Sequence, residues 1–283
     1  MTTLREKMKH EMTLRGYSLG TQENYLRAVN KLHDHYNRNP AHLSLDEIKV
    51  FLLTPANLAL ASSTYNIIIH GLKFFYEVVL GRSLLAIKLP RKREPQKLPD
   101  ILSSTEVERI IKATHHLKYR TLFILIYGAG LRASEAASLR VGDIDKERAV
   151  IHVRQGKGNK DRYVILSPMM RTALRTYWKQ SRAKTHSDIQ NDFIFLGSNG
   201  RALSAKSIGK IYHRTKLSLG IKKHGGVHGL RHAFATHALE SGADLFAIKA
   251  LLGHASITST VRYLRMTDKA CQLIQSPVER LSL

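Results

Sequence analysis

Apolar residues recur one helical turn apart in the N-terminal part of the chain, and they form separate stripes. The stripes are Leu4, Met8 and Met12; then Tyr25, Leu26, Val29, Leu32 and Tyr36; and then Tyr65, Ile68, Ile69, Leu72, Phe75, Tyr76 and Val79. Before the last stripe, Ser44 and Glu47 match a capping box that opens a short helix. Thr21 is the expected cap of the second helix, and Gly81 closes the last one. Stripes of this kind predict amphipathic helices around a shared core, so residues 1–88 are expected to form a helical domain.

The periodicity stops between Leu89 and Pro99, a segment with three prolines and four basic residues. Proline fixes its own backbone dihedral and has no amide hydrogen, so this density of proline excludes a regular helix. Residues 89–99 are therefore predicted to be a stiff basic linker between two domains. The second domain is expected to span residues 100–283, with residues 266–283 as a C-terminal tail.

Helical signals resume after the linker and give way to strands near the middle of the second domain. Ser103 and Glu106 match another capping box, and Gly130 interrupts the helical pattern before a further helix. Residues 149–153 and 162–166 alternate as strands do and flank a glycine-rich turn, which predicts a β-hairpin. Further helices are predicted from Ser167 through Trp178, from Ser204 to Leu217 and from His228 to Ser241. The expected fold is mainly α-helical, with one small antiparallel β-sheet or hairpin in the C-terminal domain.

Positive charge exceeds negative charge by a wide margin. The 283 residues include 45 lysines and arginines against 22 aspartates and glutamates, a formal net charge of +23. A chain this basic is typical of a protein that lies along a polyanion such as DNA. An anionic lipid surface is an alternative that loses support, because no basic amphipathic anchor or lipidation signal is present. Five basic residues are expected to contact DNA: Arg91, Lys92, Arg93 and Lys97 in the linker, and Lys160 in the hairpin turn.

No feature of the sequence predicts secretion or a membrane span. The longest apolar run, residues 122–127, is far shorter than a transmembrane helix, and the N-terminus lacks the apolar core of a signal peptide. Cys271 is the only cysteine, so an intrachain disulfide is impossible and a reducing compartment is expected. We therefore expect a cytoplasmic protein without a membrane partner.

A short C-terminal stretch concentrates groups that suit attack on a phosphodiester. His228 and Arg231 lie three residues apart on a predicted helix, and His254 and Tyr263 follow. A guanidinium can bind two phosphate oxygens at once, an imidazole can move protons, and a phenol can bond to phosphorus. A tyrosine with a pKa of about 10 is rarely ionised at neutral pH, a handicap of about 4 kcal/mol. A tyrosine nucleophile therefore needs cationic neighbours.

This chemistry requires no metal and no nucleotide cofactor. Two-metal nucleases need clustered carboxylates, whereas Asp143, Asp145, Glu147 and Asp161 are expected in turns and at strand edges. Most of the other histidines are expected at the surface or against phosphate. We therefore predict no metal site and no cofactor.

The candidate groups occur in a distinctive order along the chain. The motifs are Gly130-Leu131-Arg132-Ala133-Ser134-Glu135, Gly156-Lys157-Gly158-Asn159-Lys160, His228-Gly229-Leu230-Arg231-His232-Ala233-Phe234-Ala235-Thr236-His237, and Leu252-Gly253-His254 with Tyr263. In these motifs the chain resembles the tyrosine recombinase family, also called the lambda-integrase or phage-integrase type. The resemblance implies a catalytic set of Arg132, Lys157, His228, Arg231, His254 and Tyr263, with Glu135 as a supporting residue.

The resemblance also implies a role for each group. Tyr263 would attack a DNA phosphate and form a 3′-phosphotyrosyl link, while the two arginines hold the phosphate. Lys157 would protonate the departing 5′-hydroxyl, and His228 would accept the tyrosine proton. His254 would support the transition-state oxygens, and Glu135 would orient neighbouring side chains.

Further expectations follow from the same resemblance. The enzyme would be a site-specific recombinase or integrase that clamps double-stranded DNA between a helical core-binding domain and a catalytic domain, without metal or ATP. Four protomers would act on two duplexes at a specific recombination site, with a possible accessory DNA-bending or directionality protein, in the nucleoid. The interval from Lys157 to His228 is too compact for the segment inserted in integron integrases, which favours an Xer-like or mobile-element integrase.

Two other functions are compatible with the sequence. A type IB topoisomerase shares the tyrosine chemistry but rejoins the same strand, and it would relax plasmid DNA without a specific site. A non-catalytic DNA-binding protein on an integrase scaffold would form no covalent adduct with DNA.

Overall fold

The computed structural model describes residues 3–82, 92, 100–154, 161–181, 193–197 and 200–264. The chain divides into two compact units, Met1–Lys97 and Leu98–Leu283. Apart from Lys92, the expected linker at residues 89–99 lies outside the described residues, so the limits of the two domains stay a prediction. The expected tail, with Cys271, also lies outside them.

Helices make up the first unit as far as the structure describes it. They are α1 (Leu4–Leu14), α2 (Leu19–Tyr36), α3 (Leu45–Leu52), α4 (Pro55–Leu58) and α5 (Ser62–Phe74), with a 3₁₀ turn at Pro40–His42 and a π-helical turn at Phe75–Val79. The predicted capping box of Ser44 and Glu47 is confirmed. Helix α2 begins earlier than expected, because the Ser18 side chain caps it and accepts a hydrogen bond from the Thr21 amide at 3.3 Å.

The predicted stripes pack into one core in the first unit. Met12, Leu32 and Leu72 are fully buried there. The buried Tyr76 donates a hydrogen bond from its hydroxyl to the Pro40 carbonyl at 2.6 Å. The last stripe continues from α5 into the π-helical turn, so this helix is not regular to its end.

The second unit is also mainly helical. Its elements are α6 (Ser104–Ala113), α7 (Leu117–Ala129), α8 (Ala133–Ala137), a 3₁₀ turn (Val141–Asp143), β1 (Ile144–Asp145), β2 (Val150–Val153), β3 (Arg162–Ile165), α9 (Pro168–Ser181), α10 (Ala205–Ser218), α11 (His228–Glu240), α12 (Leu245–Leu252) and α13 (Thr258–Leu264). Helix α7 packs against both α9 and α11. Its side chains Leu122, Phe123 and Leu125 are fully buried, which places α7 at the centre of the core.

A small antiparallel sheet accompanies these helices. The predicted hairpin is confirmed as β2 and β3, with Ile151 opposite Val164 and Val153 opposite Arg162. The sequence did not predict β1, because a strand of two residues is too short to show an alternating pattern. The mainly α fold with a small antiparallel sheet is therefore confirmed. Within the described ranges, no helix is both long and apolar enough to cross a bilayer.

Candidate active site

A glycine turn sets the direction of the segment that carries Arg132. Gly130 ends α7 with a left-handed backbone conformation, φ +62°, and Arg132 is the N-cap of α8. A Cβ atom on Gly130 would lie 2.5 Å from Cδ1 of Phe234, so a larger residue would clash as well as strain the backbone. This close approach brings the end of α7 against α11.

Glu135 holds two arginine side chains together in the site. Its Oε1 accepts a hydrogen bond from Nη1 of Arg132 at 2.5 Å, and its Oε2 accepts one from the Arg132 amide at 2.7 Å. Arg162 of β3 binds the same carboxylate through both amino groups, at 2.9 and 2.7 Å. Burial raises the pKa of Glu135, but the hydrogen bonds from Arg162 and Arg132 outweigh it and lower the pKa to about 2. The carboxylate therefore stays ionised at every physiological pH.

Arg231 is buried beside this cluster, with 1% of its surface exposed. It donates hydrogen bonds to the Gly130 carbonyl at 2.7 Å and to the Leu252 carbonyl at 2.6 Å, so it links the ends of α7 and α12. Its Nη1 lies 3.7 Å from Oε2 of Glu135. Burial, and then the nearby charge of Arg132, lower the pKa of Arg231 to about 10, so it remains a cation. Its Nε is buried without a hydrogen-bond partner.

The hydroxyl of Tyr263 lies 2.9 Å from Nδ1 of His232. Tyr263 is 2% exposed, and its ring centroid is 5.6 Å from that of His232 and 6.2 Å from that of His254. His228 packs its ring edge-on against His232 at 4.6 Å. Residues 228 and 232 are one turn apart on α11, so this helix presents both imidazoles to the same side.

His254 follows the end of α12, where Gly253 adopts a left-handed conformation. Its Nδ1 lies 2.9 Å from Oγ1 of the buried Thr260. Burial, and then the charges of Arg231 and Arg132, lower the pKa of His254 to about 4. His254 is therefore a neutral imidazole at pH 7.

The neutral form of His228 is favoured as well. The residue is exposed, yet desolvation of its ring, followed by the charges of Arg231 and Arg132, lowers its pKa, while Glu135 acts in the opposite direction. A neutral imidazole can accept a proton, which a protonated one cannot do.

The structure brings together half of the twelve residues that the sequence singled out. Six of them surround one point: Arg132, Glu135, His228, Arg231, His254 and Tyr263. Five others lie outside the described residues and stay predictions: Lys157, Lys160, Arg91, Arg93 and Lys97. The ammonium of Lys92 donates to the carbonyls of Leu58 and Leu60 at 2.7 and 2.9 Å, so in this arrangement it binds its own unit.

Sequence reasoning missed Arg162, His232 and Thr260. The strand alternation could have identified Arg162, because it places this residue on the same face as the buried Val164. A cation on a buried face needs a carboxylate partner. His232 carried a weaker signal, its position one turn after His228. No local pattern marked Thr260, which meets His254 only through the turn between α12 and α13.

The charges of this cluster do not balance. In the part of the chain that the structure describes, the guanidinium groups of Arg132, Arg162 and Arg231 share the single carboxylate of Glu135. The neutral forms of His228 and His254 are favoured, and the three guanidinium groups outnumber the carboxylate, so the site keeps an excess of positive charge. Such a site favours an anionic group, and a phenol beside it can attack that group. The described residues contain no group of histidine, cysteine and carboxylate side chains that could hold a metal ion.

Comparison with known proteins identifies two family patterns. The phage integrase family matches residues 100–270, and the N-terminal SAM-like domain of phage integrases matches residues 4–85. The protein y4qK of Sinorhizobium fredii, named as a candidate integrase/recombinase, is 40% identical over 285 residues, which is 99% of this chain and 90% of the relative. The tyrosine recombinase XerC of Oceanobacillus iheyensis is 33% identical over 240 residues, 80% of this chain and 78% of that protein.

Solved structures share the fold. A crystal structure of the site-specific recombinase XerH, bound to a palindromic difH substrate, has a TM-score of 0.72 at 20% identity, covering 98% of this chain and 85% of that one. A crystal structure of XerA recombinase has a TM-score of 0.55 at 27% identity, covering 95% of each chain. The chain belongs to the phage integrase family of tyrosine recombinases, enzymes that cleave and rejoin DNA strands in site-specific recombination.

Proposed function

We propose that Tyr263 is the nucleophile of this recombinase and forms a 3′-phosphotyrosyl link with DNA. The observation that carries the proposal is the uncompensated positive charge of Arg132, Arg162 and Arg231 beside the tyrosine. A phosphate entering the site would supply the missing negative charge. The transition state for attack on the phosphodiester carries more negative charge than the bound phosphodiester does, so fixed guanidinium groups stabilise the transition state in particular.

Each arginine has a different part in this proposal. Arg132 keeps 21% of its side chain exposed and is the guanidinium through which an incoming phosphate makes its first contact. Arg162 has both amino groups on Glu135, so it fixes that carboxylate and, through it, the orientation of Arg132. Arg231 holds the ends of α7 and α12 in place and adds a buried positive charge to the site.

His232 is the group that takes the proton of Tyr263 in this scheme. With the imidazole in its Nε2–H tautomer, the tyrosine hydroxyl donates to the unprotonated Nδ1 at 2.9 Å. As the phenol oxygen bonds to phosphorus, its proton moves to Nδ1, and the bond from phosphorus to the 5′-oxygen breaks. The family resemblance gives the proton acceptance to His228, whereas the hydrogen bond favours His232. The 5′-oxygen takes its proton from Lys157.

Cleavage also requires the site to open. Tyr263 and Arg231 are 2% and 1% exposed, so a phosphate reaches neither while the surrounding side chains stay where they are. DNA binding would move these side chains and admit the phosphate. An isolated protomer would therefore cut poorly, which limits stray cleavage.

The larger assembly is part of the same proposal. Four protomers would bind two duplexes at a specific double-stranded site and exchange one pair of strands at a time, with an accessory DNA-bending or directionality protein where direction matters. The helical unit, the basic linker and the catalytic unit, which would span residues 100–283, would all contact DNA. Because its substrate is DNA, the enzyme would act at the nucleoid, as an Xer-like or mobile-element integrase.

A suicide substrate tests the nucleophile. A duplex nicked just beyond the cleavage site loses a short fragment on cleavage, so the covalent adduct accumulates and shifts on a denaturing gel. We expect Tyr263→Phe to reduce adduct formation by about 10⁴-fold or more while DNA binding persists. Mapping the adduct to another residue would contradict the proposal. Relaxation of plasmid DNA without a site, and without exchange between sites, would instead support a topoisomerase, a function that the comparisons do not favour.

A further inference from the structure

The catalytic unit contains a cavity of about 540 Å³ away from the tyrosine site. Helix α9 forms one wall, and the 3₁₀ turn with β1 forms the other. Its apolar lining consists of Val141, Ile144, Leu174 and Ile194. The residues that line it come from none of the elements that carry the catalytic groups, which are α8, β3, α11, α12 and α13. The cavity is therefore a separate feature of the fold.

Three basic side chains also line this cavity. Arg171 and Arg175 lie one turn apart on α9, and Lys146 follows β1 on the opposite wall. All three are exposed, and within the described ranges no carboxylate forms an ion pair with any of them. Trp178 continues the same face of α9, seven residues after Arg171, and completes the lining.

This combination matches one kind of ligand. Aliphatic side chains and a tryptophan gain free energy by covering an apolar group, and tryptophan and arginine are the residues most enriched where protein partners bind tightly. Guanidinium groups one turn apart match carboxylates one turn apart on a facing helix, each pair being able to form two hydrogen bonds. Duplex DNA fits less well, because its outer surface offers phosphates but no apolar side chain to fill a concave cavity.

We propose that this cavity docks an acidic amphipathic helix of a partner protein, with a large aliphatic residue seated between Leu174 and Ile144 and carboxylates paired with Arg171 and Arg175. The site lies outside the catalytic groups, so the partner would bind without blocking the tyrosine. Docking of this kind would recruit the recombinase or orient it, and it would not take part in the chemistry.

The protein carries its own reporter of this site, because Trp178 is the only tryptophan in the chain. The probe is a synthetic helical peptide with adjacent leucines flanked by glutamates one turn apart, titrated into the full-length protein. We expect a saturable change in tryptophan emission. A matched peptide with glutamine at the glutamate positions should bind at least about tenfold more weakly, since each lost ion pair at a guanidinium removes a charge-assisted contact.

Variants separate this site from the general basic surface. The double variant Arg171→Glu/Arg175→Glu should lose binding of the acidic peptide and gain binding of a peptide with lysine at those positions. The control is Lys206→Glu/Lys210→Glu, which makes the same charge change one turn apart on the exposed face of α10 and should bind the acidic peptide as the wild type does. Covalent adduct formation on the suicide substrate should stay unchanged in both variants.

Three results would overturn the proposal. Equal binding of the glutamate and glutamine peptides would mean that the cavity recognises apolar groups alone. Displacement of the peptide by random-sequence duplex DNA in the control variant would make this surface a DNA contact. An emission spectrum that never responds to the acidic peptide would leave the cavity without the occupant that we assign to it.

Discussion

The hydroxyl of Tyr263 and Nδ1 of His232 lie 2.9 Å apart, although the two residues are 31 positions apart in the sequence. The contact joins α13 to α11 across the buried cluster of Phe234, Ile248 and Leu252. In the Nε2–H tautomer of His232, Nδ1 accepts a hydrogen bond from the tyrosine hydroxyl in the absence of substrate. The same contact fixes the direction of the phenol oxygen.

Replacement of His232 tests whether it accepts the proton. His232→Asn keeps an oxygen acceptor near the position of Nδ1 but cannot take up a proton. We expect both His232→Asn and His232→Ala to slow cleavage of the suicide substrate by about 10²-fold or more, the range found for general bases. Single-turnover rates measured across a range of pH give the check.

Another histidine of α11, which also contacts a tyrosine hydroxyl, provides the control. Nδ1 of His237 lies 2.9 Å from the hydroxyl of Tyr127, so His237→Asn removes a similar contact outside the proposed catalytic groups. Cleavage should continue at nearly the wild-type rate in this variant. If His232→Asn restores the activity that His232→Ala loses, then His232 only positions the tyrosine.

Loss of Arg162 should destabilise the second unit. The side chain is 9% exposed and binds both oxygens of Glu135, so Arg162→Ala leaves a buried carboxylate with fewer partners. We expect the free energy of unfolding to fall by about 3 kcal/mol. Urea denaturation followed by Trp178 fluorescence reports this unit. The exposed pair of Lys112 and Glu108 is the control, and Lys112→Ala should cost less than about 1 kcal/mol. Equal losses in the two variants would show that the Arg162 contact contributes no more than a surface pair.

Gly130 should tolerate no side chain. Alanine at this position must adopt φ near +62° and place its Cβ against Phe234 and Leu252. We expect Gly130→Ala to lower the free energy of unfolding by about 3 kcal/mol, the sum of backbone strain and overpacking. Gly220 has a similar φ of +67° with open space around it, so Gly220→Ala should cost only about 1 kcal/mol. A difference of zero between the two variants in urea denaturation would exclude the close packing of α7 and α11 as a source of stability.

As the pH is lowered, protonation of His254 should destabilise the folded protein first, and protonation of Glu135 should do so at lower pH. The pKa of His254 is about 4 in the folded protein against 6.5 for an unperturbed histidine. Between these two pH values the imidazole of His254 binds a proton in the unfolded chain but not in the folded chain. The contribution of His254 to the free energy of unfolding is therefore complete above pH 6.5 and decreases as the pH drops toward 4. Glu135 adds a second loss at lower pH, between 4.5 and about 2.

Thermal melts at a series of pH values check this dependence. The melting temperature of the wild type should fall below pH 6.5, and that of His254→Gln should fall less steeply, because glutamine has no proton to gain. His228 has a lowered pKa as well and contributes with the same sign. Parallel curves for the two proteins would mean that His254 titrates normally in the folded state.

Local patterns were enough to predict most of the fold. Helix caps depend on residues three positions apart, so the capping boxes at Ser44 and Ser103 could be identified from the sequence, and the structure confirms both. The alternation in β2 and β3 was visible for the same reason. The start of α2 was misplaced because Ser18 and Thr21 are both good caps; in the structure the Ser18 side chain caps the helix by accepting a hydrogen bond from the Thr21 amide.

The sequence by itself determined which chemical groups are present and in what order, including the tyrosine, the histidines and the excess of positive charge. Only the tertiary structure decided which groups meet. Arg162 reaches Glu135 from 27 positions away, and His232 meets a tyrosine on another helix. Burial then sets the protonation states, lowering the pKa of His254 and holding Glu135 ionised. These properties depend on distance and desolvation, which arise only when separate segments pack together.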